Sequence, residues 1–485
     1  MSGELPNGWE QGSLSELVTA GGLFSDGDWI ESKDQDPEGE NRLLQLADIG
    51  DGIFVDKSSR FVNNEKFKSL NCTELHEGDV LIARMPDPLG RACLMPLIGQ
   101  RCLTVVDVAV FRSGSIDVSH NLLMHFINSP QVRKIIEVES SGTTRKRIAR
   151  GKLAELKLPI PPAAEQNRIA QKLDELLAQV DTLKARIDAI PALLKRFRQS
   201  ALAAAVSGRL TEEWRAQHVG WVDEGSPTAA SNHEIERWAS QAQPNLRAVP
   251  INQVSADEKY SLAIGPFGSN LKVSDYRTEG RPLVFVREIR AERFGDEKTK
   301  FITPEKFAEL KAHQIAAGDI LITKMGDPPG DVAIYPDNAP DAVITADCIK
   351  LRVNESIILR KYAYLQMKSD SFRQKILGIS AGVAQQKVSL GNFREIPLLV
   401  PSLKEQTEIV RRVEQLFAFA DQLEAKVASA KSRIDHLTQS ILAKAFRGEL
   451  VPQDPNDEPA SVLLARIQTQ RASAPKAKRG RKASA

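Results

Sequence analysis

Cysteine is scarce in this chain. There are four in 485 residues (Cys72, Cys93, Cys102, Cys348), with no C-x-x-C pair and no pair of histidines nearby. That spacing argues against a disulfide scaffold and a zinc site, and it fits a reducing, cytoplasmic setting. No run of about 18 apolar residues occurs, so no helix is expected to span a membrane. The opening MSGELPNGWEQGS is polar and does not read as a signal peptide. An excess of one charge is missing too: 65 Lys+Arg against 63 Asp+Glu leaves +2. Any contact with nucleic acid must therefore rest on a local patch.

Catalytic signatures are equally absent. There is no G-x-x-x-x-G-K-[ST], which leaves ATP hydrolysis unsupported, and no H-E-x-x-H or G-x-S-x-G. Asp327-Pro328-Pro329-Gly330 resembles the acidic–proline–proline core of an amino-methyltransferase motif. It lacks the aromatic that should follow, and its counterpart elsewhere reads Asp87-Pro88-Leu89-Gly90. A repeated hairpin turn is the better reading. The seven histidines are scattered and read as structural. The chain is expected to be non-catalytic, with no metal and no cofactor of its own.

What is present is a duplication. LPIPPAAEQNRIAQKLDELLAQVDTL from Leu158 aligns without a gap to LLVPSLKEQTEIVRRVEQLFAFADQL from Leu398, and the offset of 240 holds from Leu158–Leu210 to Leu398–Leu450. The same offset reaches upstream. GDVLIARMPDPLG at Gly78 answers GDILITKMGDPPG at Gly318; Phe54, Phe61 and Phe67 answer Phe294, Phe301 and Phe307; Arg112 answers Arg352. Finding such a repeat decides the architecture.

The strongly similar segment has the pattern of a long helix. Ile169, Leu173, Leu176, Val180, Leu183, Ile187, Ile190, Leu194, Phe197 and Ala201 step by four and three, as do Ile409 to Ile441 in the second copy. Sustained over four heptads, that spacing is a coiled-coil seam. Pro161-Pro162 and Pro401 mark the starts, and Gly208 and Gly448 the stops. Pro191 should kink or break the first helix; the second has Lys431 there. The order globule, helix, linker, globule, helix favours an antiparallel pair, because a parallel one would need a linker as long as the rod.

The expected fold class is therefore α+β: two mixed α/β domains joined by two long helices in an antiparallel coiled coil with internal pseudo-two-fold symmetry. The expected boundaries are 1–157 and 251–397 for the domains, 158–210 and 398–450 for the helices, and 211–250 for the linker. A tail at 451–485 is expected, basic and disordered at its end. In the domains DVLIARM, DILITKM, LTVVDVAVF and PLVFVREI read as strands. NLLMHFINSPQVRKII and RKYAYLQMKSDSFRQKIL read as helices.

Three loops suit nucleic acid. Ser141–Lys152 holds five basic residues in twelve, among them Arg145, Lys146 and Arg147 as candidate phosphate contacts. The matching loop offers Gln385, Gln386 and Lys387; glutamine can pair with adenine in the major groove. The glycine-rich GPFGSNLKVSDY offers Ser269 and Lys272. In each case the plain alternative is a solvated surface or a turn.

Taken together, these features resemble the specificity subunit of Type I restriction–modification systems. The resemblance is carried by two dissimilar domains alternating with two similar helices, and by the helix openings IPPAAEQ and VPSLKEQ. Helix closings IPALLKRFRQSALAAAVSGRLTEEWR and QSILAKAFRGELVPQDPNDEPASVLLARI add to it, as do the domain starts LPNGW and GPFGSNLKVSDY. It implies that each domain recognises half of a bipartite, asymmetric double-stranded DNA site. It further implies that the helices act as a spacer and dock two methyltransferase subunits, with restriction–translocation subunits joining those. Glu165, Gln166, Glu405 and Gln406 at the helix starts would be docking residues. S-adenosylmethionine would be held by the methyltransferase partner. A coiled-coil scaffold without sequence readout is the alternative.

Overall fold

Residues 5–86, 88–142, 145–218, 246–326, 328–380 and 386–473 are described by a computed structural model. They form two compact units whose boundaries cut both long helices: Met1–Asp188 with Ala428–Ala485, and Ala189–Val427.

In the first unit a four-stranded antiparallel sheet runs in the order Leu23–Asp26, Val108–Arg112, Val80–Ala83, Ala92–Leu94. The strand Val80–Ala83 is buried throughout because both its faces are covered. Successive side chains of a strand point to opposite faces. Val80 and Ile82 therefore join the core that contains the helices, whereas Leu81 and Ala83 join a separate core with Leu44, Cys93 and Val110. A second sheet orders Phe61–Val62, Asn41–Leu44 and Cys102–Thr104, the last two parallel. A ribbon of Glu10–Ser13 with Lys157–Ile160 leads into the long helix.

The second unit repeats this plan. Leu262–Ile264, Cys348–Leu351, Ile320–Thr323 and Val332–Ile334 form its antiparallel sheet, and Ile320 and Ile322 part from Leu321 into separate cores in the same way. Strands flank the turns at 84–91 and 324–331, so the repeated hairpin reading of DPLG and DPPG holds; Asp87 and Asp327 themselves lie outside the described residues. PLVFVREI is a strand only as far as Val284 and then turns into the helix Val286–Ala291. Each expected helix after the sheet is two helices, His120–Asn128 with Pro130–Glu139, and Arg360–Lys368 with Asp370–Gly378. The breaks fall at Ser129 and Ser369, whose hydroxyls accept from the backbone N–H three residues on and so start a new helix.

The long helices are Ala163–Val206 and Leu403–Phe446, 44 residues each. They stop where Gly208 (φ 74°) and Gly448 (φ 70°) enter the left-handed region, which suits a residue without Cβ. The helix runs through Pro191 unbroken. Within the first unit Lys184 faces Asp435 (4.0 Å) and, four residues on, Asp188 faces Lys431 (2.6 Å), so one helix ascends as the other descends. Within the second unit Arg198 meets Asp421 and Glu424, while further along Arg412 donates to the Leu210 carbonyl at 2.7 Å. The direction is again antiparallel. The four-three pattern is not uniformly buried: Leu183 remains 47% exposed and Leu437 46%.

The segment after Pro452 is not all tail. Ala460–Ser473 is a helix packed on the first unit through Leu463 and Ile467, with the Ala460 N–H donating to the Gly8 carbonyl at 2.8 Å. Residues 474–485 lie outside the described residues.

Candidate nucleic-acid interface

The basic stretch of the first unit is a folded-back ribbon. Ser141 and Arg147 exchange backbone hydrogen bonds at 3.0 and 2.8 Å. Ile148 then donates its N–H to the Arg84 carbonyl at 3.1 Å, tying the ribbon to the end of the central strand. Arg145 is exposed and makes no ion pair or hydrogen bond among the described residues. Lys146 meets Glu137 at 3.2 Å, Arg147 meets Asp107 at 3.0 Å and Lys152 meets Glu139 at 2.9 Å. Pairs this exposed contribute little to stability, so a phosphate could replace the carboxylates at small cost.

The second unit keeps the tie to the central strand but pairs the preceding residues differently. Gln386 and Lys387 pair with Gly326 and Met325 in a two-residue ladder, and Val388 donates to the Lys324 carbonyl at 3.0 Å. Gln386 is half-buried and Lys387 exposed; Gln385 lies outside the described residues. Ser269 and Lys272 are exposed on a separate loop. The Ser269 hydroxyl lies 3.3 Å from the Asn270 side chain, and the Lys272 N–H donates to Asp275 at 2.7 Å. The candidates of the second unit thus fall on two loops.

Sequence reasoning missed the cation beneath each ribbon. Arg84 is buried. Its Nε donates to the Ile148 carbonyl (3.0 Å), its Nη1 to the Val106 carbonyl (3.1 Å), and it pairs with Asp26. The equivalent residue of the second unit is Lys324, also buried, whose Nζ reaches the Ala346 carbonyl at 3.4 Å. Burial pulls the Lys324 amine below its ordinary range, and the nearby positive charge of Lys387 adds to the shift. The signal was available: both residues stand at one place in the quoted repeat, GDVLIAR and GDILITK.

The structure places the four residues expected to dock a partner inside the fold. All are buried within their own unit. Glu165 accepts from Trp9 Nε1 at 2.9 Å, and burial raises its pKa. Gln166 donates to the Pro161 carbonyl and accepts from the Ser119 N–H (2.9 and 2.8 Å). Glu405 accepts from Thr211 at 2.7 Å and pairs with Arg215. Gln406 donates to the Pro401 and Ile357 carbonyls and accepts from the Leu359 N–H (2.9, 3.1 and 2.7 Å). They fasten each helix start to its own globule. Glu165 Oε1 alone among these side-chain atoms is buried without a hydrogen-bond partner among the described residues.

Among the described residues no cluster of His, Cys, Asp and Glu could hold a metal ion, and no helix is long and apolar enough to cross a membrane. Both units share a duplicated, mixed α/β architecture. The sequence matches the family described as Type I restriction modification DNA specificity domain over residues 6–192 and 286–430, and the chain belongs to that family. It is 33% identical over 384 residues to the Type I restriction enzyme EcoKI specificity subunit of Escherichia coli (strain K12), covering 75% of this chain and 74% of that one. It is 34% identical over 369 residues to the StySPI specificity subunit of Salmonella potsdam, covering 73% and 72%. Its fold is similar to that of the HsdS subunit from Thermoanaerobacter tengcongensis (TM-score 0.54, 20% identity, 92% of this chain and 99% of that one). A chain from a study of complex assembly and conformational transition of the type I R-M system is also similar (TM-score 0.60, 18% identity, 92% and 100%).

Proposed function

We infer that the chain is the non-catalytic DNA sequence-specificity subunit of a Type I restriction–modification complex, and that its two units read the two halves of a bipartite, asymmetric site. The observation that carries this is the contrast inside the duplication. The two long helices have equal length and equivalent stops, while the matching segments after the sheets hold different residues, Arg145-Lys146-Arg147 in one unit and Gln386-Lys387 in the other. Identical supports with different segments are what two readers of two different half-sites need.

Residues 1–157 and 251–397 would be the target-recognition domains. The helices Ala163–Val206 and Leu403–Phe446, inside the expected 158–210 and 398–450, would be an antiparallel coiled-coil spacer with pseudo-two-fold symmetry, and 211–250 the linker. The ion-pair order along the helices within each unit supports the antiparallel direction. Arg145, Lys146, Arg147 and Lys387 would contact phosphates, and Gln386 a base edge. Two methyltransferase subunits would dock on the helices. Exposed apolar residues support that placement, Leu183 and Leu437 in the first unit and Leu193 and Phe419 in the second. Adenine N6 methylation would belong to those partners, which would hold S-adenosylmethionine; restriction subunits would join them.

The test is methylation mapping in a host carrying this chain and its methyltransferase. The wild type should mark one split sequence. Inserting four residues between Leu183 and Ile187 adds about 6 Å of helix, and should lengthen the gap between the half-sites by one base pair while leaving the half-sites unchanged. Methylation of unrelated sequences, or none that depends on this chain, would sink the reading. Unaltered spacing in the insertion variant would make the helices a docking platform only.

A further inference from the structure

The ungapped repeat conceals a local slip of two residues at the loop after the first strand of each sheet. In the first unit the Gly27 N–H donates to the Val108 carbonyl (2.8 Å), and a Cβ on Gly27 would lie 2.2 Å from the Val105 carbonyl oxygen. In the second unit the Gly265 N–H donates to the Cys348 carbonyl (3.1 Å), and a Cβ there would lie 1.9 Å from the Thr345 carbonyl oxygen. Val105 and Thr345 are 240 residues apart, as are Val108 and Cys348, but the glycines are 238 apart. Gly27 and Gly265 are therefore the same structural position. Strand pairing agrees: Asp26 faces Ala109, and Ile264 faces Ile349.

Two residues past each glycine stands an exposed aromatic ring, Trp29 at 69% and Phe267 at 64%. A single exposed aromatic needs no explanation. Two at one structural position, in units whose loops otherwise diverge, do. Each glycine fits its backbone against a carbonyl where any side chain would collide, so the loop that presents the ring is anchored at its root. Each ring also lies near a residue that holds the candidate phosphate-contact segment of its unit. Trp29 and Asp107 line one cleft of about 650 Å³, and Asp107 is the partner of Arg147. The Phe267 ring lies 6.0 Å from Lys324 Nζ, and Lys324 anchors the strand that carries Lys387.

We propose that Trp29 and Phe267 are specificity-determining residues, each laid against base edges in the major groove of one half-site of double-stranded DNA. The segment held near each ring supplies the phosphate contacts that fix its register. An aromatic ring offers apolar contact to a thymine methyl and carries no charge, so it discriminates between bases without adding to the electrostatic term. This inference rests on the DNA-reading function proposed above.

The experiment is selection of duplexes from a randomised library by the full chain with its methyltransferase partner, comparing wild type, Trp29→Ala and Phe267→Ala. Trp29→Ala should lose preference at one or two adjacent base pairs of one half-site, with roughly tenfold weaker binding to the wild-type site. Phe267→Ala should do the same at the other half-site. The salt dependence should not change in either, nor should the thermal midpoint, since both rings stand in solvent. Variants that reproduce the wild-type preference, or that weaken all sequences equally, overturn this inference alone. A wild type that selects no sequence overturns the DNA-reading function and this inference with it.

Discussion

Arg352 holds the carboxylate of Asp319 in a two-point grip, Nε to Oδ1 at 2.8 Å and Nη2 to Oδ2 at 3.0 Å. The first unit repeats it 240 residues earlier with Arg112 and Asp79, at 2.6 and 2.5 Å. Both carboxylates are almost wholly buried. Asp319 also takes the Ala316 N–H at 2.9 Å, so the pair ties the turn before the central strand to the end of its neighbour. Removing one partner strands the other. Asp319→Ala is expected to cost about 3 kcal/mol, and the double variant with Arg352→Ala should cost less than the two single changes together. Denaturant titration measures both, and additive losses would show that the residues act separately.

Lys350 runs against the logic of its position. Its counterpart in the first unit is Val110, and both are buried in the middle of the sheet. Burial lowers the Lys350 amine to about 8. A base lowered on folding is penalised wherever it is charged in both states, which is below about 8. The penalty fades as pH rises from about 8 toward 10.5, because only the unfolded chain still binds the proton. Lys350→Val should therefore stabilise the protein by about 1–3 kcal/mol at pH 7. Its advantage should shrink in alkaline solution. Thermal unfolding at pH 7 and pH 10 tests this; a constant advantage would place the gain in packing rather than charge.

Gln406 separates fastening from docking. Gln406→Leu leaves two carbonyls and one N–H without their buried partner, with an expected loss of about 2–4 kcal/mol. Capture of the methyltransferase, scored per folded molecule, should not change. A variant that folds normally and fails to capture the partner would return Gln406 to the interface.

The basic ribbon should act through phosphate. Replacing Arg145, Lys146 and Arg147 together with alanine is expected to weaken binding on every sequence. It should also flatten the salt dependence by up to about three ion equivalents, each contact contributing a slope near 0.9. Affinity measured from low to moderate salt decides it: an unchanged slope takes the ribbon off the DNA.

Much of the architecture could be read from the sequence because it is local. The four-three spacing, the prolines before Ala163 and Leu403 and the glycines at 208 and 448 act over a few residues each, and the helix ends follow from them. The central strands were likewise legible as short apolar runs. Boundaries that depend on one hydroxyl, such as the breaks at Ser129 and Ser369, were not, because the apolar pattern continues across them. Glu165 and Gln406 looked like surface signposts in the sequence. A polar residue at a helix start reads the same whether it faces water or a buried partner; here Glu165 faces the Trp9 indole N–H, and Gln406 two carbonyls and the Leu359 N–H. Trp29 was missed because an ungapped alignment sets it opposite Ser269.

The sequence alone determined the duplication, the presence and start and stop signals of both long helices and the family. Covalent order and short-range periodicity are sufficient for those. Only the tertiary structure decided which polar groups are spent inside the fold and which remain for a partner. It buried the Glu–Gln pairs, sank Arg84 and Lys324 beneath their ribbons and left Trp29 and Phe267 in solvent. Burial is a property of distant segments meeting, and no local pattern encodes where the carbonyls of residues 105 and 345 will lie.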